Sequence, residues 1–315
     1  MKPVAAIDIG TNSTRLIVAK PTGAGTFDVL DERLVITRLG AGVDATKRLS
    51  HESMERTAAT LSDYSKIMKS FDVERFRMTA TSAARDATNG AEFFASAHAA
   101  TGQDPEILSG EAEGQLSFMG ATTGLDPAMG PFLVVDIGGG STEFAWGTTA
   151  CEESVSLDIG AVRVTERFLH SDPPKPEELH GAVSVVNLFL DDLDRDHPDW
   201  RKTAMLIGVA GTITTMARVE IGSPTYERDA LHHYRLSHAA AEDVFRTLAT
   251  ESLDDRRHNP GLDAARADVI VGGCVILCAI MRRLNAATCV VSQTDLLHAL
   301  ASSLCCDSST SPSAG

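Results

Sequence analysis

The stretch FLVVDIGGGSTEFAWG, residues 132–147, has a near copy early in the chain, VAAIDIGTNSTRLIVA at residues 4–19. In each copy an apolar run closes on an aspartate, Asp8 or Asp136, and a turn of small residues leads into a second apolar run. Short apolar runs bounded by glycine predict buried strands joined by a tight turn. The duplication therefore predicts two homologous halves, each opening with a hairpin.

The repeat continues beyond the two hairpins. A third strand is expected at 26–34 in the first half and at 154–158 in the second, so each half begins with a three-stranded meander. Apolar residues at three- and four-residue steps then predict helices over 52–71 and 176–193. Another strand with a small-residue turn follows in each half, at 77–87 and 206–217. The pattern predicts an α/β fold with a mixed sheet in both halves.

The length of 315 residues also fits two domains. Gly and Pro concentrate in GLDPAMGP, residues 124–131, and this composition predicts a boundary there. The expected domains are 1–124 and 125–306, the second carrying a helical insertion at about 218–287. We expect the helix after residue 293 to pack back on the first domain, and the small, polar tail 307–315 to be disordered.

The amino-acid composition argues against some classes of binding partner. The chain carries 28 Lys and Arg against 43 Asp and Glu, a net charge of −15, which argues against a nucleic-acid partner because duplex binding needs a basic face. No stretch is apolar over the roughly 18 residues of a spanning helix, and no signal-peptide pattern opens the chain, so we expect no membrane partner. None of the six cysteines forms a CxxC pair, and Cys274 and Cys278 share an apolar helical face as core thiols. A reducing cytoplasm is the expected location.

The two hairpin turns carry residue types that bind anions. Gly138, Gly139 and Gly140 allow close backbone approach and positive φ. Ser13 and Ser141 add hydroxyl donors. We expect the two turns to face each other across a cleft between the domains, an arrangement that suits a ligand with phosphates.

The paired turns DIGTNS and DIGGGSTE, together with the loop GVAGTITT at residues 208–215, resemble the actin, sugar-kinase and heat-shock ATPase superfamily. Within it, seven ordered blocks, among them TATSAARDATN, LSGEAEGQLSFMGA and LHHYRLS, are similar to the exopolyphosphatase and guanosine pentaphosphate phosphohydrolase family. The resemblance implies two ribonuclease-H-like (actin-like ATPase) domains, each with a mixed five-stranded sheet flanked by helices, and an interdomain cleft.

The resemblance also implies an activity. It points to Mg²⁺-dependent hydrolysis of the terminal phosphoanhydride bond of inorganic polyphosphate, with guanosine pentaphosphate as the alternative substrate. An ATP-dependent phosphotransferase and a non-catalytic sensor of polyphosphate or alarmone are alternatives of other classes. Whether the chain forms a homodimer is open.

The family pattern assigns the acidic residues. Glu113, near the start of a helix in SGEAEGQ, is the implied general base that activates water. Glu111 is its rival, and an acid at this place also suits the helix dipole without any catalytic role. Mg²⁺ is expected at Asp136, Glu143 and Asp8, directly or through water. A single aspartate at a strand end more often caps a turn. Because Asp8 and Asp136 occur at the same place in both copies of the repeat, we favour a functional role for them.

The implied phosphate-binding residues come mainly from the two turns, where ordinary turn chemistry is the structural alternative, and from one arginine whose planar fork matches phosphate oxygens. They are Thr11, Asn12, Ser13, Arg85, Gly138, Gly139, Gly140, Ser141 and Thr142. The loop with Gly208, Gly211 and Thr212 falls where nucleotide-binding relatives seat the nucleoside, and here it lines the cleft or guides the chain.

Other features favour structural roles. The third DIG, residues 158–160, closes a meander strand, so we interpret it as structural. His232 and His233 lack a partner at metal-ligand spacing and are expected to pack in a loop or core, and Arg266 is expected only to cap or pair. Near the last helix, Asp295 stands where many relatives have Gly, and Leu297 where they have Arg; the role of this helix start is open.

Overall fold

The structure is a computed structural model that describes residues 2–222 and 228–306. The chain divides into two compact units. The first consists of Met1–Ser109 with Leu296–Gly315, and the second of Gly110–Asp295. The tail 307–315 and a short part of the expected helical insertion lie outside the described residues.

Eleven strands are described, and they are numbered in chain order. They are β1 (Val4–Ile9), β2 (Thr14–Gly23), β3 (Thr26–Val35), β4 (Arg75–Ala80), β5 (Glu106–Ile107), β6 (Phe132–Ile137), β7 (Thr142–Gly147), β8 (Cys151–Leu157), β9 (Met205–Val209), β10 (Arg235–Ser237) and β11 (Thr288–Val291).

Thirteen α-helices connect these strands in the described ranges, with three short 3₁₀ turns besides. They are α1 (Val43–Thr46), α2 (His51–Ser70), α3 (Ser82–Asp86), α4 (Gly90–Thr101), α5 (Gly110–Thr122), α6 (Ala161–Phe168), α7 (Pro176–Asp196), α8 (Ala210–Ile221), α9 (Arg228–Leu231), α10 (His238–Thr250), α11 (Leu253–Arg257), α12 (Ile270–Arg283) and α13 (Leu296–Cys306).

Read from the edge strand of the meander, the two sheets share one strand order over five strands, which confirms the predicted fold class. The first sheet runs β3-β2-β1-β4-β5, and the second runs β10-β11-β9-β6-β7-β8. In each sheet an antiparallel meander continues into parallel strands, with β1 beside β4 and β6 beside β9. Parallel neighbours need a crossover, which helices supply in both units.

The expectation of five strands in both sheets is wrong for the second sheet, which has six. The additional strand is β10, inside the segment LHHYRLS that we interpreted as packing. It pairs antiparallel with β11 over Arg235–Ser237 and Thr288–Val291. Three residues of alternating burial are too short a pattern to predict a strand from periodicity.

The units divide between Ser109 and Gly110, earlier than the expected boundary at 124–131. The reason is α5, which packs on β6, β7 and β8 of the second unit through its small residues. The chain returns to the first unit with α13, which packs on β1, β2 and β4.

Each unit has its own apolar core. In the first, α2 and α4 cover one face of the sheet, with Leu61 and Phe93 fully buried. In the second, α12 is buried along nearly its whole length. Cys274 and Cys278 lie in this core as predicted, and burial raises the pKa of the Cys278 thiol to about 12. Such a thiol stays protonated and unreactive at neutral pH.

Among the described residues, no helix combines the length and the apolar character that crossing a bilayer requires.

The close packing of α5 makes a stability prediction. A methyl group on Gly120 would overlap the backbone carbonyl of Asp295, which cannot swing aside as a side chain can. We expect Gly120→Ala to lower the free energy of unfolding by about 2 kcal/mol or more, measured by urea denaturation. Gly181→Ala in α7 is the control, because its methyl group meets only the Phe168 ring at 3.6 Å. That control should be neutral or stabilise by about 0.5–1 kcal/mol; equal effects of the two variants would contradict this account.

Candidate functional site

The glycine turn, residues 138–141, joins β6 to β7. It is closed by the N–H of Gly138, which donates to the carbonyl of Ser141 at 3.1 Å. The corresponding turn of the first unit has the same bond, from the N–H of Gly10 to the carbonyl of Ser13 at 2.9 Å. The duplicated letters therefore produce duplicated turn geometry.

The glycine turn is held by its carbonyl groups. The N–H of Ala161, at the start of α6, donates to Gly138 O at 2.9 Å, and the N–H of Val162 donates to Gly139 O at 2.9 Å. Within the described ranges, the N–H groups of Gly139 and Gly140 enter no backbone hydrogen bond. The three glycines permit positive φ, but none of them adopts it.

Two carboxylates lie side by side next to this turn. Asp136 on β6 is directly opposite Glu143 on β7 in the antiparallel register. Opposite residues of such a pair share a face, with Cβ atoms about 4.5–5.5 Å apart. The exposed fractions of Asp136 and Glu143 are only 9% and 1%. Two buried like charges at this separation destabilise the fold unless cations or hydrogen-bond donors offset them.

Two serine hydroxyls supply part of that compensation. Ser117 Oγ, on α5, donates to Asp136 Oδ2 at 2.6 Å. Ser156 Oγ, on β8, donates to Glu143 Oε1 at 2.7 Å. Hydrogen bonds to an ionised acceptor are short and strong. Each carboxylate is thus fixed from a different neighbouring element. Neither serine was predicted in this role from the sequence.

Helix α5 places Glu113 above the same pair of strands. The backbone of Gly114 contacts Glu143, because a Cβ at Gly114 would lie 3.5 Å from the Glu143 Cβ. Glu113 is four residues before Ser117 and therefore on the same side of the helix. It is half-buried, and its Oε2 atom is inaccessible to solvent. Glu111, the rival, is exposed.

The first unit carries the remaining predicted site residues. Asp8 on β1 is opposite Arg15 on β2, where the second unit has a second carboxylate. In the following turn, the carbonyl of Asn12 accepts from the Arg38 N–H at 2.9 Å, and Thr11 packs against Gly40. The duplication preserves the turn but changes the charge beside it.

Arg85 lies on α3, which follows β4. It is half-buried, and its Nη1 donates to the carbonyl of Leu108 at 2.8 Å. In the second unit, Gly211 begins α8 in close contact with the guanidinium of Arg266, and Thr212 Oγ1 donates to Ile137 O at 3.3 Å. The phosphate-binding roles of Arg85 and of both turns stay predictions.

The rings of His232 and His233 stack on each other, with ring centroids 3.8 Å apart. Nδ1 of His232 accepts from the N–H of Gln293 at 3.1 Å, which ties this loop to the loop before α13. Asp295 and Leu297, the departures from the family pattern, are both buried. The histidines therefore pack between loops, as interpreted from sequence.

The residues of the second unit fit a magnesium ion. Within the described ranges no group of three His, Cys, Asp or Glu side chains is arranged to hold a metal. Mg²⁺ does not need one, because it keeps several waters and is commonly bound by one or two carboxylates together with substrate phosphates. The buried pair Asp136 and Glu143 has this donor chemistry. The assignment of Asp8 as a third ligand stays a prediction.

The fold and this site define a class. The sequence profile of the Ppx/GppA phosphatase family matches residues 5–304, and the chain belongs to that family. The predicted family and its hydrolase class are thereby confirmed.

Individual relatives agree. The chain is 39% identical over 315 residues to exopolyphosphatase 2 of Mycobacterium tuberculosis, covering 96% of this chain and 98% of that protein. It is 34% identical to the bifunctional 3-dehydroquinate synthase/phosphatase of Fusobacterium nucleatum, where the match takes 93% of this chain and 45% of that protein.

Solved structures show the same fold. An exopolyphosphatase-like protein superposes with a TM-score of 0.89 at 33% identity, covering 95% of this chain and 97% of that one. The Ppx/GppA family member from Aquifex aeolicus gives a TM-score of 0.79 at 30% identity, with 98% and 99% coverage.

The serine contacts make a prediction about the carboxylate pair. Ser117→Ala removes a donor to a buried carboxylate, so the free energy of unfolding should fall by about 1.5–3 kcal/mol in urea denaturation. Ser154→Ala is the matched control, because its buried Oγ has no hydrogen-bond partner among the described residues. We expect that control to stay within about 0.5 kcal/mol of wild type. A neutral Ser117→Ala variant would show that the hydroxyl does not stabilise Asp136.

Proposed function

We propose that this chain is an exopolyphosphatase, which hydrolyses the terminal phosphoanhydride bond of inorganic polyphosphate and releases orthophosphate. The observation that carries the proposal is the buried pair Asp136 and Glu143, beneath the helix that bears Glu113 and next to the glycine turn. The substrate is taken from the relative named exopolyphosphatase 2, at 39% identity over nearly the full length.

The turn residues would bind the terminal phosphate. Backbone N–H groups of Gly139 and Gly140 enter no backbone hydrogen bond in the described chain, and successive N–H groups of this kind form anion-binding concavities. The Ser141 hydroxyl is proposed as a further donor. The Thr142 hydroxyl is buried and donates to the carbonyl of Ile159 at 2.6 Å, so Thr142 would contribute only through its backbone. In the first unit, Thr11, Asn12, Ser13 and Arg85 are proposed to bind phosphate oxygens as well.

Glu113 is the proposed general base. A carboxylate on the Ser117 side of α5 is directed toward the strands that carry the acidic pair, where it can accept a proton from the attacking water. Phosphoryl transfer needs little covalent chemistry from a protein, so positioning and charge stabilisation account for most of the rate.

Asp136 and Glu143 would hold Mg²⁺, with Ser117 and Ser156 keeping their carboxylates oriented. When bound, the metal offsets negative charge on the phosphate oxygens. Asp8 is proposed as a further ligand, directly or through water. The cytoplasm remains the expected location.

The catalytic role of Glu113 predicts the behaviour of one variant. Glu113→Gln keeps the size of the side chain but cannot accept the proton, so kcat for phosphate release should fall about 100-fold or more. The control is Glu111→Gln, two residues away and exposed. It should retain kcat within about twofold, as surface substitutions usually do.

Both variants should unfold at the wild-type temperature, which shows that the fold is intact. A Glu113→Gln enzyme with wild-type turnover would remove the general-base assignment.

The metal role makes a separate prediction. Asp136→Asn and Glu143→Gln each remove one charge from the pair, so the Mg²⁺ concentration for half-maximal activity should rise about tenfold or more. Removal of Mg²⁺ with EDTA should abolish phosphate release, and added Mg²⁺ should restore it. An unchanged Mg²⁺ requirement in both variants would contradict this assignment.

The identity of the substrate is tested by a phosphate-release assay on four candidate compounds. Phosphate release would be compared on short polyphosphate, long polyphosphate, guanosine pentaphosphate and ATP, each with and without Mg²⁺. The proposal expects the highest kcat/KM on polyphosphate. A preference for guanosine pentaphosphate would favour the second activity in the family's name, and release of ADP at a comparable rate would favour a phosphotransferase or ATPase.

A further inference from the structure

The start of α6 binds the glycine turn through hydrogen bonds to its carbonyl groups. The first three N–H groups of that helix donate to the carbonyls of Gly138 and Gly139 at 2.9–3.1 Å. The side chain of Arg163 continues the series, because its Nε donates to the carbonyl of Gly140 at 2.8 Å. All three glycine carbonyls are therefore bound to one helix.

Arg163 is built into this place. Its exposed fraction is only 7%, and its Nη2 lies 3.8 Å from Asp158 Oδ1. Burying a guanidinium is unfavourable unless its donors find acceptors. Among the described residues, the Arg163 side chain alone donates to the carbonyl of Gly140. The helix backbone holds the first two glycines, and the arginine is what holds the third.

The direction of these carbonyls fixes the direction of the amides. In a planar trans peptide the N–H points away from the C=O of the same unit. Peptides whose carbonyls point to α6 therefore turn the N–H groups of Gly139, Gly140 and Ser141 to the opposite side. Adjacent N–H groups that converge in this way attract anions.

Gly160 brings the helix close enough for this contact. Its backbone is extended, with φ of −146° and ψ of 165°, so conformation alone would permit alanine. A methyl group there would overlap the carbonyl of Gly139. Gly160, the last residue of the third DIG, thus packs directly against the glycine turn.

We propose that Arg163 is a positioning residue, which locks the glycine turn so that its amides point to the terminal phosphate of the substrate. The inference rests on the proposed phosphate-binding role of that turn. Arg163 acts through Gly140 and does not itself touch the substrate. Loss of the lock should weaken phosphate binding more than it slows the chemical step.

The test compares kinetics with binding. Arg163→Met, which keeps an apolar stem without donors, should raise KM for polyphosphate about fivefold or more, with a smaller change in kcat. Gly160→Ala should give the same pattern, because it displaces the same turn. Glu113→Gln should do the opposite, lowering kcat while KM is retained.

Binding is measured without turnover in the Glu113→Gln background. Tripolyphosphate with Mg²⁺ should raise the Tm of that protein, and adding Arg163→Met should reduce the shift by at least about half. The control is Arg256→Met, which removes another buried arginine. Arg256 Nη1 donates to the carbonyl of Leu248 at 3.2 Å, a contact that does not involve the glycine turn. This control should lower Tm yet leave KM and the ligand-induced shift unchanged.

The inference is overturned if Arg163→Met keeps KM and the tripolyphosphate shift, if Arg256→Met raises KM equally, or if tripolyphosphate shifts no Tm at all. Absence of polyphosphate hydrolysis by the wild-type chain, with a shift that Arg163→Met still diminishes, would count against the proposed function alone.

Discussion

The structure of the second unit depends on offsetting the electrostatic repulsion between two buried carboxylates. Asp136 and Glu143 are opposite each other on neighbouring strands, and both are buried. Water cannot screen them there, so their charges require donors or a cation. Two serine hydroxyls, one from α5 and one from β8, reach one oxygen of each carboxylate. The same pair supplies the carboxylate oxygens that the proposed Mg²⁺ would use.

This constraint explains the small residues of α5. The helix must approach the strands closely enough for Ser117 to reach Asp136, and Gly110 and Gly114 allow that approach against Ser156 and Ser154. The same approach assigns α5 to the second unit, although it precedes the Gly- and Pro-rich segment that composition favours as a boundary. Packing geometry, rather than linker chemistry, decides where the unit begins.

One difference between the two units changes the charge beside the turn. Both have a strand, a turn closed by the same backbone hydrogen bond and a second strand. The residue opposite the aspartate is Arg15 in the first unit and Glu143 in the second. The residue opposite Asp8 therefore has the opposite charge, whereas the residue opposite Asp136 has the same charge. The duplicated frame therefore supports different electrostatics in its two copies.

The sequence by itself determined the duplicated hairpins, the strand–helix order, the core thiols and the family, because apolar periodicity, glycine positions and motif order are local properties of the chain. It also indicated the acids, since Asp136 and Glu143 flank one turn. It could not determine that β10 extends the second sheet, that Ser156 holds Glu143, or that Arg163 holds Gly140. Those contacts join residues whose separation along the chain carries no signal, and only tertiary packing brings them within hydrogen-bond distance.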